Sequence, residues 1–391
     1  MTSADHVLFA RRARYMGAGV FVLTVGIFFR TPLVVEMARE FELSALAVGA
    51  LSSAFALGRL VTDLPAGRAA DRFPLGLMMA VAAAVVAIGS AVMARSPVAA
   101  VLYAGSFVLG VGSASILTAS FAFFATAPRA RRGHYLSLFA AAMLVGQALG
   151  PAAGGLISSR VQWRATLAFG ALIAVLISVA FAGVKTLRTE PAKVSGSGGP
   201  DSRATAPVLV VIYLLPAVQF GIGAALYQTL LPLVGAQDLG FSTALIGVGL
   251  GVGGIARFVA ALVAGRVSDT VSRKAALLPG LVLQLAGVLT FGLVSSTAGW
   301  WLAVLLLTFG SVVVNVGSTM LADLSEGARL GRRLGSFRFS GDAAFLVAPL
   351  LTGGLFERFG RLAAAAPLVA LVVTALVGVV LIVPETLAAP D

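Results

Sequence analysis

Four arginines and two aspartates stand in stretches that are otherwise apolar, and their spacing sets the chemistry open to the chain. Arg59 and Asp63 are four residues apart, as are Arg338 and Asp342, so each pair shares a face wherever the chain is helical. Arg30 lies just before Pro32, and Arg257 stands among small and apolar neighbours. A guanidinium in such surroundings takes an anion or a counter-charge. A carboxylate there holds its proton more tightly through burial and less tightly beside an arginine, so it can switch. The sharper expectation is that Arg59 and Arg257 contact a bound solute or a counter-charge, with Asp63 or Asp342 accepting a proton. The plainer one is a fixed Arg59–Asp63 pair within one helix. Arg30 is expected to contact solute, to snorkel outward or to pair with Glu36. Gln147, Gln219, Tyr227, Gln228 and Asn315 are candidates for lining the same region, and interhelical hydrogen bonding explains them equally well.

Other chemistries lack their parts. There are no cysteines, which excludes disulfides, thiolate metal sites and a cysteine nucleophile. The two histidines, His6 and His134, fall in a terminal segment and a basic loop, so no metal site is expected. Lys185, Lys193 and Lys274 lack the preceding glycines of a phosphate-binding loop, and neither GxSxG nor HExxH occurs. Gly249 to Gly254 fits GxGxxG, but within an apolar stretch with no preceding strand, so it reads as a small-residue packing face. No catalytic residue and no cofactor is expected, and the chain does not read as an enzyme.

The elements that must position these side chains are membrane spans. Of 391 residues, 59% are hydrophobic and 11% charged, with a mean hydropathy of +1.00, against about 25% charged in a soluble domain. The formal net charge of +12 lies in short runs between apolar stretches, a pattern suited to anionic lipid headgroups rather than nucleic acid. Twelve windows are apolar and long enough to span: 15–35, 47–66, 75–93, 98–124, 135–157, 165–184, 207–234, 244–264, 275–294, 299–321, 334–356 and 362–383. The first is read as a retained helix rather than a signal peptide. About three times as many Lys and Arg lie on the side of the termini as on the other, which puts both termini in the cytoplasm. Trp163, Trp300 and Trp301 then fall at the outer interface. Residues 185–206, with SGSGGP at 195–200, read as a flexible cytoplasmic linker between residues 1–184 and 207–391.

Those two parts repeat. An offset of 198 residues aligns Gly49 with Gly247, Arg59 with Arg257, Gly67 with Gly265, Asp71 with Asp269, Gly112 with Gly310, Pro151 with Pro349 and Arg160 with Arg358. Arg59 lies eight residues before Gly67, and Arg257 eight before Gly265. That is about 12 Å into a hydrocarbon core of about 30 Å. Equivalent depths in two like-oriented repeats allow both arginines to face a shared cavity, and such repeats suit a carrier that rocks around a midplane site.

Here the chain resembles the major facilitator superfamily. Gly67, Asp71 and Arg72 look like the start of its loop signature GxxxD(R/K)xGR(R/K), which then gives way to Phe73-Pro74-Leu75. The second copy, with Gly265, Asp269, Arg273 and Lys274, is closer. The resemblance implies that these loops latch the two bundles on the cytoplasmic side. Arg338, near the start of the eleventh span, is read with them as a gating residue. Residues 146–155 read GQALGPAAGG, similar to the fifth-helix signature GxxxGPxxGG of drug:proton antiporters. Gly146, Gly150, Pro151, Gly154 and Gly155 carry that likeness, and the glycine stripe also suits plain close packing. The fourth-helix signature of proton-coupled members has an arginine four residues before a glycine, where this chain has Ser106 before Gly110.

The resemblance implies an all-α integral membrane fold of twelve helices in two six-helix bundles. It implies a proton-coupled exporter of a small organic compound or drug, working by alternating access. The alternative is a carrier of small organic anions clamped by Arg59 and Arg257. A membrane receptor or enzyme without transport finds no motif to support it. Expected partners are a small-molecule substrate, protons and the lipid bilayer, with no nucleic acid. The chain is expected to act as a monomer in a bacterial-type inner (plasma) membrane.

Overall fold

A computed structural model describes residues 3–128, 131–183, 205–325 and 328–387, and the expected linker lies almost wholly outside them. Runs of Ala, Leu, Val and Gly give helix nearly throughout, because a helix satisfies its own backbone hydrogen bonds where no water can. In chain order the elements are α1 (Ser3–Phe28), α2 (Arg30–Glu40), α3 (Ala45–Arg72), α4 (Leu75–Ala94), α5 (Ala99–Ala125), α6 (Arg132–Val161) and α7 (Trp163–Ala182). The second half supplies α8 (Ala206–Ile222), a π-helical segment (Gly223–Leu230), α9 (Leu231–Gln237), α10 (Thr243–Thr270), α11 (Arg273–Leu293), α12 (Thr297–Phe309), α13 (Val313–Asp323) and α14 (Ala328–Leu381).

Among the described residues, eleven helical stretches are long and apolar enough to cross a membrane. The last, Arg332–Leu381, has 50 residues. At 1.5 Å per residue it would run to about 75 Å, more than twice a bilayer core. Gly360 divides it: its φ of 79° and ψ of −170° leave the helical region, in a conformation open to glycine and strained for any residue with a Cβ. The expected eleventh and twelfth spans are the two parts of this element. Elsewhere the expected windows differ chiefly at breaks inside the membrane. The first span continues to Glu40 and is interrupted at Phe29, the seventh passes through the π segment, and the tenth is interrupted between Phe309 and Val313.

The helices gather into two compact units. One comprises residues 1–42, 54–192 and 242–254, the other residues 43–53, 193–241 and 255–391. In the first, α4 packs on α5 and α7, and α1 on α6; in the second, α8 packs on α14, and α11 on α12 and α14. The outward faces remain apolar. Leu172, Leu176 and Val179, a stripe along α7, are 54%, 60% and 67% exposed, an arrangement that only a hydrocarbon solvent makes favourable.

Candidate functional site

In the first unit the chemistry begins where α1 breaks. Gly146, Gly150 and Gly154 of α6 turn their shared face to α1. A methyl added to Gly146 would lie 2.9 Å from Thr24 Cβ, one on Gly150 2.6 Å from Phe28 Cβ, and one on Gly154 2.5 Å from the Phe29 carbonyl oxygen. The glycine stripe therefore lets the backbone of residues 24–29 press onto α6, and the next residue on is Arg30. Arg30 is only 6% exposed, which corrects the expectation that it snorkels outward. Its guanidinium lies over the Phe55 ring, 4.1 Å from the centroid, and within electrostatic reach of Arg59. Glu36, the partner expected for Arg30, instead takes the Ser158 hydroxyl at 2.8 Å. Phe55 and Arg59 are placed by a backbone-close crossing of α3 and α5. A methyl on Gly58 would strike the Phe107 carbonyl, and one on Gly110 the Phe55 carbonyl, with the Arg59 amide nitrogen 3.2 Å away. Ser106 is fully buried one turn before that crossing. Asp63, one turn on from Arg59, and Gln147 on α6 are both half-buried.

In the second unit the corresponding stretch is the π segment. The Thr229 hydroxyl donates to the Ala224 carbonyl at 2.8 Å, five residues back, which ties the side chain into the wider π turn. It also lies 3.0 Å from the Ser52 hydroxyl. Tyr227 and Gln228 ride on this segment, both half-buried, and Tyr227 interacts electrostatically with Arg257 of α10. The 198-residue offset that pairs Arg59 with Arg257 also pairs Arg30 with Gln228 and Thr31 with Thr229. Both repeats thus break a span at the same place, and irregular backbone at membrane depth belongs where it is buried in protein or lines a cavity. The offset carries the pairing of these residues, but not the irregular backbone on which they stand.

The remaining candidates separate. Asp342 is 1% exposed, and Arg338 Nε lies 3.7 Å from its Oδ2. Gln219 is buried and accepts the Val314 amide at 2.9 Å, where α12 gives way to α13, so it serves the break in the tenth span. Asn315, one residue on, is exposed, and its carbonyl accepts from Ser318 and Thr319. An apolar groove between α11 and α14, lined by Leu289, Leu362 and Val369 among others, contains none of these residues.

The two signature loops differ. In the second, Arg273 is 9% exposed and reaches Asp269 at 2.6 Å, Asp323 at 3.0 Å and the Ser268 carbonyl at 3.0 Å. Glu385, beyond α14, returns to the start of α11. It accepts the Ser272 hydroxyl and the amides of Arg273 and Lys274 at 3.0 and 3.1 Å, where the helix dipole favours a negative charge. Its partial burial pulls the carboxyl upward. Bonds from Ser272 and from the amides of Leu387, Lys274 and Arg273 outweigh that and hold it at about 2. In the first loop Asp71 and Arg72 are exposed. A methyl on Gly67 or Gly265 would meet nothing within 4 Å.

At the far end of each unit from these loops, repeat-equivalent glycines press on repeat-equivalent prolines. A methyl on Gly247 would strike the Pro151 carbonyl within the first unit, and one on Gly49 the Pro349 carbonyl within the second. Gly155 faces Thr243 and Gly247, and both Gly251 and Gly254 face Ala148, so the GxGxxG run is in fact a packing face.

Spanning helices in two repeats, each irregular where polar side chains collect, define a multi-pass membrane protein. The chain belongs to the Major Facilitator Superfamily, which it matches over residues 16–316 and 220–390, and is an all-helical transporter of that fold. It is 29% identical over 335 residues to the chloramphenicol resistance protein of Streptomyces lividans, covering 79% of this chain and 80% of that one. It is 26% identical over 303 residues to multidrug resistance protein 2 of Bacillus subtilis strain 168, covering 74% of each. Among solved structures, a bacterial homolog of the human lysosomal transporter Spinster, inward-facing and occupied, superposes with a TM-score of 0.75 at 13% identity, covering 95% of this chain and 94% of that one.

Proposed function

We propose that the chain exports a small organic compound or drug from the cytoplasm by proton antiport, through alternating access. The observation that carries this reading is the likeness to a chloramphenicol resistance protein, which extends over four-fifths of both chains and so takes in both repeats. The α6 glycines that hold the break in α1 support it, since they are the residues resembling the antiporter signature. Proposed substrate contacts are Arg30, Arg59 and Gln147 in the first half and Gln228, Arg257 and Asn315 in the second. Asp342, the most buried carboxylate described, is the proposed proton carrier, with Asp63 the second candidate. Gly67, Asp71, Arg72, Gly265, Asp269, Arg273 and Arg338 are the proposed gating set. Residues 1–184 and 207–391 act as two bundles in a monomer in the plasma membrane, both termini cytoplasmic.

Proteoliposomes with an imposed pH gradient and labelled chloramphenicol as solute test the reading. Solute movement against its own gradient, driven by the proton gradient and lost in Asp342→Asn, is expected. Flux that ignores the pH gradient would remove the proton from the mechanism, and absence of flux for any of a panel of neutral and cationic drugs would remove export.

A further inference from the structure

At the break between α12 and α13, two buried glutamines take apart one hydrogen bond of the helical ladder. In a continuous α-helix the Val314 amide would donate to the Gly310 carbonyl, four residues back. Here the Val314 amide donates to Gln219 Oε1 of α8 at 2.9 Å, and the Gly310 carbonyl accepts from Gln284 Nε2 of α11 at 3.3 Å. One glutamine therefore supplies the missing acceptor and the other the missing donor. The backbone beside them closes in tighter turns: the Ser311 amide reaches Thr308 and the Asn315 amide reaches Val312, three residues back in each case. All of these residues belong to the second unit.

The first repeat shows that close packing alone does not break this span. By the 198-residue offset Gly310 corresponds to Gly112, Val314 to Ile116, Gln284 to Val86 and Gln219 to Phe21. Both glycines press on a neighbouring helix: a methyl on Gly112 would lie 2.6 Å from Val86 Cγ2, and one on Gly310 2.6 Å from Gln284 Cγ. Yet α5 runs as helix from Ala99 to Ala125, straight through the equivalent residues. Where the two side chains are apolar the helix is whole, and where they are glutamines it is open, as expected when side chains enter the ladder. Gln284 is 1% exposed, and its Oε1 meets no donor among the described residues. A buried amide left half satisfied is costly, so the valine of the first repeat would serve plain packing better. Its bond to Gly310 sets Gln284 apart.

We infer that Gln219 and Gln284 are a pair of positioning residues that hold the tenth span open at this bond and so set the direction of α13. That helix carries the exposed Asn315 in its first turn and Asp323, the partner of Arg273, as its last residue. A proposed solute contact and a bridge to the proposed gate therefore both depend on the break. Exchange of the two side-chain bonds for the one backbone bond would straighten the span, which makes the pair a hinge with two settings. The part played by Asn315 rests on the transport reading above; the hinge itself does not.

A double-mutant cycle, read as melting temperature of the full chain in detergent, tests the hinge. Gln219→Leu leaves the Val314 amide without its acceptor and Gln284→Val leaves the Gly310 carbonyl without its donor, so each single variant should melt a few degrees below the wild type. The double variant releases both halves to bond each other, and it should melt above both single variants rather than at the sum of their losses. A folded double variant where a single one fails to fold is the same result in stronger form. Losses that add, or a double variant less stable than either single, would overturn the hinge. Labelled chloramphenicol in proteoliposomes supplies the second measurement. In the double variant its KM should rise about tenfold or more, through misplacement of α13, although stability is largely restored; a pair that only fills space would move KM and stability together. A wild-type KM in a double variant with restored stability would overturn the positioning of Asn315. Absence of flux in the wild type would sink the exporter and leave the melting cycle to judge the hinge.

Discussion

At the ends reached by Glu40 and Asp238, the two repeats use one set of devices twice. Glu40 takes the Arg164 guanidinium at 2.5 Å, and Asp238, 198 residues later, takes Arg361 at 2.6 Å. Gly247 presses on the Pro151 carbonyl and Gly49 on that of Pro349. At the opposite ends the likeness fails. The positions equivalent to Arg273, Lys274 and Asp323 hold Leu75, Gly76 and Ala125, so the first loop cannot build the Asp269–Arg273–Asp323 bridge of the second. The symmetric ends each combine a glycine–proline backbone contact with one ion pair, whereas the three-residue charge staple stands in the second loop alone. Close packing admits few solutions, whereas a solvated charge network is optional.

The contact pairs give the hardest test of the symmetric side. Gly49→Ala and Gly247→Ala each push a methyl into a proline carbonyl on a facing helix, where overpacking costs about 1 to 3 kcal/mol. Melting temperature should fall in both variants by similar amounts, and drug flux should fall with it. A large loss in one and none in the other would break the equivalence. Gly67→Ala is the contrast, because its methyl enters open space within a helix; stability should hold or rise by up to about 1 kcal/mol. Undiminished flux in that variant would take Gly67 out of the proposed gate.

The asymmetric side is sharpened by Arg273→Ala against Asp71→Ala. Removing Arg273 leaves Asp323 without its bridge and Asp269 without its i+4 partner. Asp269 is 72% exposed, so water screens much of the loss and about 1 to 2 kcal/mol is expected. Asp71 is exposed, and its loss should stay within about 0.5 kcal/mol. Thermal melts of the two variants decide this, and equal losses would mean that the first loop is stapled after all.

Much of this was legible in the sequence, and the reasons differ by feature. Apolar runs of about 20 residues give spans directly, and the 198-residue offset gives the repeat, because lipid and symmetry constrain residue type at every turn. The breaks at Phe29 and in Gly223–Leu230 were not legible, since a π turn has the same apolar composition as the α-helix around it. Ser106, in place of the expected fourth-helix arginine, showed a charge missing from one helix. Glu385 stands 112 residues after Arg273 in an unremarkable terminal stretch, and its bond to the start of α11 leaves no periodic trace.

The smallest effect expected concerns that tail. Glu385 is held at about 2 from an ordinary value of 4.5. Its folded form therefore prefers the carboxylate, and the stability it adds is fully present above about pH 4.5. Protonation removes that contribution as the pH falls from there toward 2. Glu385→Gln keeps the size and loses the charge at the α11 N-terminus, so it should melt below the wild type at pH 7 by a few degrees at most, the carboxylate being largely solvent-exposed. Between pH 5 and 8 the difference should stay constant, and below pH 4.5 it should narrow. A difference that narrows between pH 6 and 8 would assign the effect to another group. No difference at any pH would leave Arg273, with Asp269 and Asp323, as the whole staple of the second loop, and the contrast between the repeats would then rest on that bridge alone.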